Sequence, residues 1–482
     1  MPKKIHMAIV DIGAGSGRII RGLFNGEKLD LEEAYRFTNN YVVLQGCYYW
    51  DIIHIWKEVA NGLQKTASPH APASVAVDTW GADFCEFDAS GKLLGFPRSY
   101  RDPRTDGVPE YIAGIVGREE WAQITGIQPM NHITICQIYA NMIQQPERFS
   151  ITKRILYIAD AIHYFLTGKE ASDFTNNAGT GAYDWKAGRF SGAILSKLGL
   201  DESIFAPELA TGTALGRISG EAAKRYALPP AKVIVAGGHD SGVAAILVPK
   251  QKNTFFFNCG TWGVLGYLSE KPDERTDIFV NFGAASGGYL VNKMFGAMWF
   301  LQECKKQWDS QGKYNDYAQL EEAALSSVYD GIFNVEASCF NAPTDMISAI
   351  AEYMKLSGQP EPESVGDFAR AILRSIALQC AYTLSLFETE KGLCFESCYF
   401  VGGANRNRLF CQMLADITGC EVIIGPSEGT AYANGCMQLV ALGELKIADI
   451  SDASYKGVCY SPENVSRDSL IAKYIELKTK GG

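Results

Sequence analysis

The sequence predicts an α/β protein made of two copies of one architecture around a central cleft. Three observations carry this. The chain opens with three apolar strand-like runs, a helix and a fourth strand. The same succession of strand, glycine turn and strand returns after residue 253 and leads into amphipathic helices alternating with strands. Finally, 482 residues exceed what one ordinary core organises, so two domains are expected.

In order, His6-Met7-Ala8-Ile9-Val10-Asp11 reads as the first strand, followed by the turn Gly13-Ala14-Gly15-Ser16-Gly17-Arg18 and a second strand over 19–24. Asn25-Gly26 then turns the chain into a third strand over 28–37. A glycine-rich turn after an apolar strand can aim backbone N–H groups at a phosphate, because no side chain blocks the approach; structural hairpin turns of this composition are nevertheless far commoner. The turn is neither a dinucleotide fingerprint, since a strand follows it, nor a P-loop, since it lacks the Lys-Ser/Thr pair. Asp11 at the strand end could hold a hydrated Mg²⁺ beside such a phosphate. A helix is expected from Trp50 to about Lys65, with Ile53, Trp56, Val59, Ala60 and Leu63 on its apolar face. Ser74-Val75-Ala76-Val77-Asp78 forms the fourth strand and opens into Thr79-Trp80-Gly81-Ala82-Asp83-Phe84.

The segment from about 85 to 230 departs from this order and reads as a mostly helical insertion that builds a ligand pocket. Within it, Arg101 and Asp102 stand out because they lie in the compact polar run Tyr100-Arg101-Asp102-Pro103-Arg104 right after an apolar strand end. His132 and His163 are isolated and read as packed or surface residues. The fifth strand, Ala231 to Ala236, delivers Gly237-Gly238-His239-Asp240-Ser241-Gly242 at its tip, ahead of an apolar helix. Asp240 has two readings there: it caps the helix, or it takes a proton from a substrate hydroxyl, and the two are compatible.

The second half begins with the strand Thr254 to Cys259, the turn Gly260-Thr261-Trp262-Gly263 and a strand over 264–268. A long helix over 366–392 carries an apolar stripe of Phe368, Ala371, Ile372, Ile376, Leu378 and Ala381. Strand Cys398 to Val401, a turn at Gly402-Gly403, helix 406–418, strand 422–424 and helix 428–442 follow. The halves separate near Pro249 to Asn253, giving domains 1–247 and 248–482.

Composition excludes several classes. A net charge of −10 repels nucleic acid as a general partner, although an anionic nucleotide could still bind through local dipoles and magnesium. No run of 18 apolar residues predicts a membrane span, and the basic start Met1-Pro2-Lys3-Lys4 leads into a strand broken by Asp11 rather than a signal peptide. The thirteen cysteines lack zinc spacing and suit a reduced, cytoplasmic protein with mostly buried thiols.

Taken together, Asp11-Ile12-Gly13-Ala14-Gly15-Ser16-Gly17-Arg18, Asp78-Thr79-Trp80-Gly81, Gly238-His239-Asp240, Gly260-Thr261-Trp262, Gly402-Gly403 and Gly425-Pro426-Ser427-Glu428-Gly429-Thr430 resemble, in order, the motifs of the FGGY sugar kinases, within the wider actin, hexokinase and Hsp70 superfamily. The resemblance implies two duplicated ribonuclease H-like domains that close over ATP, Mg²⁺ and a small sugar. It implies Asp240 as the catalytic base, and Gly81, His239 and Ser241 as sugar contacts beside the candidates Arg101 and Asp102. It further implies Ala14, Gly15, Ser16, Gly17, Arg18, Gly260, Thr261, Gln302 and Gly403 as nucleotide contacts, with Asp11 holding the metal through water. The implied acceptor is a ketose, L-rhamnulose, at its C1 hydroxyl. Met294 departs from the pattern, standing where an Asn touching the sugar is expected, with Asn292 two residues earlier. That departure points to L-fuculose or L-xylulose as alternative ketoses. An actin- or Hsp70-like ATPase with a conformational output is the alternative of another class. Oligomeric state is not legible.

Overall fold

The computed structural model describes residues 4–249, 253–276, 278–310, 312, 316–341, 343–450, 457–463 and 467–480. Met1 to Lys3, and residues 250–252 of the expected domain boundary, therefore lie outside the described residues. By its internal contacts the chain divides into two units. The first comprises Met1–Leu247, Leu268–Val291 and Thr430–Ala453, and the second comprises Val248–Tyr267, Asn292–Gly429 and Ser454–Gly482.

The first unit is built on a six-stranded sheet. Its strands are β1 (Ile5–Ile12), β2 (Ser16–Phe24), β3 (Leu29–Thr38), β4 (Ser74–Thr79), β5 (Thr213–Arg217) and β6 (Lys232–Val235), in the order β5-β6-β4-β1-β2-β3. β1, β2 and β3 pair antiparallel as two hairpins, while β4 lies parallel to both β1 and β6. All six residues of β4 are buried, as expected of a central parallel strand covered on both faces. One face is covered by helix Ile52–Thr66 and helix Ile158–Thr167, whose Ile55, Val59, Leu63, Ile162 and Leu166 join Val10, Val75 and Val77 in one core. Asp51 caps the first of these helices. Trp56, Val59, Ala60 and Leu63 are buried as expected, but Ile53 is 56% exposed and Ile52 and Ile55 complete the first turn of the buried face instead.

The expected insertion is narrower than the span 85–230. Helix Ile158–Thr167 and strand β5 belong to the main sheet and its cover. A separate core gathers Phe84, Val108, Ile112, Trp121, Ile135, Ile138, Tyr183, Ile194 and Phe205, and this is the inserted lobe. Helix Gly429–Ala441 also belongs to the first unit: Asn434 Nδ2 donates to Asp78 Oδ2 at 2.6 Å, Ser74 Oγ donates to Gln438 Oε1 at 2.7 Å, and Gln438 Nε2 donates to the Ala8 carbonyl at 3.0 Å.

The second sheet has seven strands: β7 (Thr254–Cys259), β8 (Trp262–Ser269), β9 (Val280–Gly283), β10 (Tyr289–Gly296), β11 (Ser397–Val401), β12 (Glu421–Ile424) and β13 (Cys459–Tyr460), ordered β9-β10-β8-β7-β11-β12-β13. β7 and β8 form the antiparallel hairpin, and β7, β11 and β12 run parallel, repeating the logic of β1, β2 and β4. The long helix Val365–Lys391 starts at a capping box on Ser364 and Asp367 and ends at Gly392 in the left-handed region. Every residue of its expected stripe is buried.

Candidate functional site

In the first unit, the ends of β1, β4 and β6 bring the signal residues together. Asp11 closes β1 and is buried; its cross-strand partners are Arg18 on β2 and Asp78 on β4. Arg18 Nη2 donates to Asp11 Oδ2 at 2.5 Å, so the carboxylate faces a cation on one side and a second carboxyl on the other. Asp78 is fully buried; burial first, then the charges of Asp11 and Asp240, hold its carboxyl well above the ordinary range against the bond from Asn434. Its Oδ1 has no hydrogen-bond partner among the described residues.

The turn between β1 and β2 is fixed by its own backbone and by Asn39. Gly13 N donates to the Ser16 carbonyl at 2.9 Å, Asn39 Nδ2 to the Gly13 carbonyl at 2.8 Å and Asn39 N to the Gly15 carbonyl at 3.2 Å. Ala14 and Ser16 are half-buried and Gly15 is exposed, with nothing within 4 Å of where a side chain would be. Gly17, by contrast, is buried against the Phe37 ring.

Beyond β6, Thr79 N donates to the Gly238 carbonyl at 2.9 Å, joining the end of β4 to the Gly238-His239 backbone. Gly81 has φ +72°, and a side chain there would meet His239 Cδ2 at 2.8 Å. His239 stands edge-on to Phe282, and burial holds its imidazole below its ordinary pKa against the pull of Asp240 and Asp173. The capping reading needs correction. His239, with extended backbone, occupies the N-cap of the short helix Asp240–Ala244 without a side-chain cap bond, and Asp240 is the first helical residue. Asp240 Oδ1 accepts from Ser241 N at 2.5 Å and Ser241 Oγ at 3.1 Å, and His239 Nε2 is 3.5 Å away. The Asp240 side chain is 35% exposed, and its Oδ2 carries no hydrogen bond among the described residues.

The polar run after Ser99 divides in two. Arg101 is exposed over the Tyr41 and Tyr100 rings, with Nε donating to Tyr100 Oη at 3.1 Å. Asp102 is buried and filled by its own chain: it accepts from Tyr48 N, from Arg98 Nε and Nη2, and from Arg104 N. Burial raises its carboxyl, but these bonds outweigh burial and leave it below the ordinary range. Its place is in the scaffold of the loop. Sequence reasoning missed what the loop is built on. Buried Asp83 accepts from Trp50 Nε1 at 2.6 Å, Trp80 Nε1 at 3.0 Å, Tyr100 N at 3.2 Å and Gln137 Nε2 at 3.0 Å. Arg104 Nη2 donates to Gln137 Oε1 at 2.7 Å and its Nε to Asn141 Oδ1 at 3.0 Å, which ties the loop to the inserted lobe.

In the second unit, the turn between β7 and β8 is organised by the segment before helix Trp299–Ser310. Ala297 N donates to the Thr261 carbonyl and Met298 N to the Gly260 carbonyl. Thr261 Oγ1 donates to Gln302 Oε1 at 3.0 Å, so two residues expected to touch nucleotide are joined. Gly403 opens the short turn Gly403–Arg406 beyond β11, which Asn405 pins by donating to the Phe400 and Gly425 carbonyls. Met294 is 40% exposed and Asn292 fully buried.

Two domain descriptions match the chain: the N-terminal domain of the FGGY family of carbohydrate kinases over residues 6–247, and its C-terminal domain over 256–442. The chain belongs to the FGGY family of carbohydrate kinases. This FGGY kinase is 33% identical over 448 residues to a rhamnulokinase of Bacteroides thetaiotaomicron, covering 92% of each chain. It is 34% identical over 444 residues to a rhamnulokinase of Halalkalibacterium halodurans, covering 91% of this chain and 94% of that one. In structure it resembles a xylulose kinase from Rhodospirillum rubrum, with a TM-score of 0.79 at 17% identity over 99% of both chains, a likeness of fold. The two-domain α/β architecture and the assignment as a sugar kinase therefore stand. Among the described residues no helix is long and apolar enough to cross a membrane.

A metal in this kinase would have to use few protein ligands, since no group of three or more His, Cys, Asp or Glu side chains among the described residues is arranged to hold an ion. Mg²⁺ is bound in that manner, by one or two carboxylates with water and phosphate oxygens. Asp11 and the unpartnered Oδ1 of Asp78 are hard oxygen donors at adjacent positions of β1 and β4, and they fit it.

Proposed function

We propose that this kinase transfers the γ-phosphoryl group of ATP to the C1 hydroxyl of L-rhamnulose, giving L-rhamnulose 1-phosphate and ADP, with Asp240 as general base. The observation that carries this reading is the Asp240 carboxylate: Oδ1 is anchored on Ser241, and Oδ2 is unengaged and solvent-accessible beside neutral His239 and Gly81. The rhamnulokinase name shared by relatives at 33% and 34% identity supports the choice of sugar.

A sugar hydroxyl is a weak nucleophile at neutral pH. As its oxygen bonds to the γ-phosphorus and the bond to the ADP oxygen breaks, Oδ2 of Asp240 takes the proton, help typically worth about 10² to 10⁴-fold. His239, neutral, can donate or accept one hydrogen bond with a sugar hydroxyl, and Ser241 offers a second; Arg101 lies exposed in the neighbouring polar run. The Gly13 to Gly17 turn with Ala14, Ser16 and Arg18 is assigned to the nucleotide, and so, in the second unit, are Gly260, Thr261, Gln302 and Gly403; holding and orienting the nucleotide is the larger share of phosphoryl-transfer catalysis. Asp11 would hold Mg²⁺ through water, and the ion would supply charge neutralisation on the phosphoryl oxygens. Thirteen cysteines outside disulfides, nine of them buried, suit a cytoplasmic enzyme.

Met294 favours a second reading of the acceptor. A side chain without hydrogen-bonding groups at a position expected to hold the sugar would relax discrimination, making L-fuculose or L-xylulose the alternative. ADP release with Mg²⁺ and ATP across a panel of ketoses and their aldose isomers decides. The highest kcat/KM is expected with L-rhamnulose; a higher value with another ketose rejects that sugar, and ATP hydrolysis indifferent to every sugar rejects the kinase reading.

A further inference from the structure

The backbone that presents Asp240 is held by residues far from it in sequence. Gly238 N donates to Asp173 Oδ2 at 2.7 Å, and His239 N donates to Thr175 Oγ1 at 3.1 Å. Thr175 N donates in turn to Asp173 Oδ1 at 2.7 Å, and the Thr175 hydroxyl donates to the same oxygen. Asp173 is fully buried and Thr175 nearly so, on the short helical turn Phe174–Asn177. From the other side Thr79 N holds the Gly238 carbonyl at 2.9 Å, and Val243 N holds the His239 carbonyl at 2.9 Å. The backbone donors and acceptors of both residues preceding Asp240 are thus engaged. Thr175 also packs directly beneath the helix: a side chain at Gly242 would meet Thr175 Cβ at 2.8 Å.

We propose that Asp173 and Thr175 are positioning residues for phosphoryl transfer, fixing the direction in which the Asp240 carboxylate leaves the strand end. This rests on the assignment of Asp240 as general base. The logic is one of hydrogen-bond polarity. The Thr175 hydroxyl has one proton, which goes to the Asp173 carboxylate, so its lone pair is aimed at His239 N and only one orientation satisfies both. A valine of the same shape leaves His239 N without its acceptor in a partly buried place, and the segment relaxes by turning that N–H toward another partner. Asp240 is the next residue, so the turn passes straight to its carboxylate. A displacement of about 1 Å at a reacting group can cost roughly 10²-fold in rate.

The test compares the wild type with Thr175→Val, Thr175→Ser and Asp173→Asn, measuring kcat and KM for L-rhamnulose and for ATP by ADP release, and the melting temperature of each. Thr175→Val is expected to lower kcat by roughly 10- to 100-fold. The KM for ATP should stay unchanged, and Thr175→Ser, which keeps the hydroxyl, should recover most of the rate. Asp173→Asn, which sets an amide N–H against one of the three donors, should be at least as slow wherever it folds. A Thr175→Val enzyme with wild-type kcat overturns the proposal whatever its melting temperature, as does a Thr175→Ser enzyme as slow as the valine variant. A wild type that phosphorylates no sugar overturns the underlying assignment and this proposal with it, whereas an active wild type beside a fully active valine variant overturns this proposal alone.

Discussion

Replacing Asp240 by Asn tests the proposed chemistry with little disturbance of the fold. Oδ1 of Asp240 accepts from Ser241 N at 2.5 Å and Ser241 Oγ at 3.1 Å, both of which an Asn carbonyl oxygen can also accept. The amide nitrogen then stands where Oδ2 was, at a position with no partner to clash with among the described residues and a side chain 35% open to solvent. Folding stability should therefore change little. Catalysis should not survive, because an amide NH₂ donates where the reaction needs an acceptor. Losing general-base help costs about 10² to 10⁴ in kcat, or roughly 3 to 5 kcal/mol of transition-state stabilisation at 1.36 kcal/mol per decade. The measurement is steady-state ADP release at saturating sugar, with ATP affinity measured in parallel, since an interaction made only in the transition state lowers kcat and leaves binding alone. An Asp240→Asn enzyme with near-normal kcat would refute the assignment of the base.

Three further outcomes are expected. Gly81→Ala places a methyl group 2.8 Å from His239 Cδ2 at φ +72°, so it should raise the sugar KM through His239 and cost about 1 to 2 kcal/mol in stability; an unchanged KM would separate Gly81 from the sugar. His163 is fully buried with Nε2 accepting from Val77 N at 3.2 Å, and burial lowers its pKa from 6.5 to about 4. Because the unfolded chain protonates first, His163 contributes stability that is present above pH 6.5 and lost as pH falls toward about 4, roughly 3 kcal/mol in all; neighbouring Asp160, raised by burial, remains in both proteins, so the difference isolates the imidazole. Melting curves of wild type and His163→Gln should diverge in slope across that window, and parallel curves would exclude His163 as the titrating group. Arg104→Lys removes a planar donor set from buried Gln137 and Asn141 and should lower stability by roughly 1 to 3 kcal/mol for each acceptor left unsatisfied; a wild-type melting temperature would mean that lysine satisfies the same partners.

The sequence made legible what depends on local repetition and missed what depends on folding at a distance. Alternating apolar residues ended by a glycine turn appear in both halves, and both hairpins are present, because strand period and turn chemistry are local. Asp240 could be placed at a strand end for the same reason. Its backbone role was misjudged by one residue, since an extended His239 makes 239 rather than 240 the N-cap. Asp173 caps, and Thr175 lies on, a four-residue turn with no periodicity, more than sixty residues before the backbone they hold, and they carry no sequence signal. Polarity alone did not sort the run after Ser99: Arg101 faces solvent, while Asp102 and Arg104 are buried and hydrogen-bonded within the loop. Helix Gly429–Ala441 read as part of the second half because it follows that half's strands in the chain; the Asn434 and Gln438 amides instead bond to β4 and β1 in the first unit.

The same buried bonds bear on why Asp240, among three neighbouring carboxyls, is the one proposed as the base. Asp11 is paired with Arg18, so its charge is balanced and largely shielded. Asp78, buried and beside both others, is held toward its neutral form, with Asn434 fixing Oδ2 and leaving Oδ1 unpartnered. Without a cation, a neutral Asp78 adds no repulsion toward an incoming polyphosphate; a bound Mg²⁺ would displace that proton and be balanced by the carboxylate it frees. Asp240 is left as the one carboxylate of the three that is partly open to solvent, unpaired with a cation, and held on Ser241 with one oxygen to spare. Burial and pairing thus leave Asp240 as the carboxylate best suited to the proposed role, with a side chain 35% open to solvent.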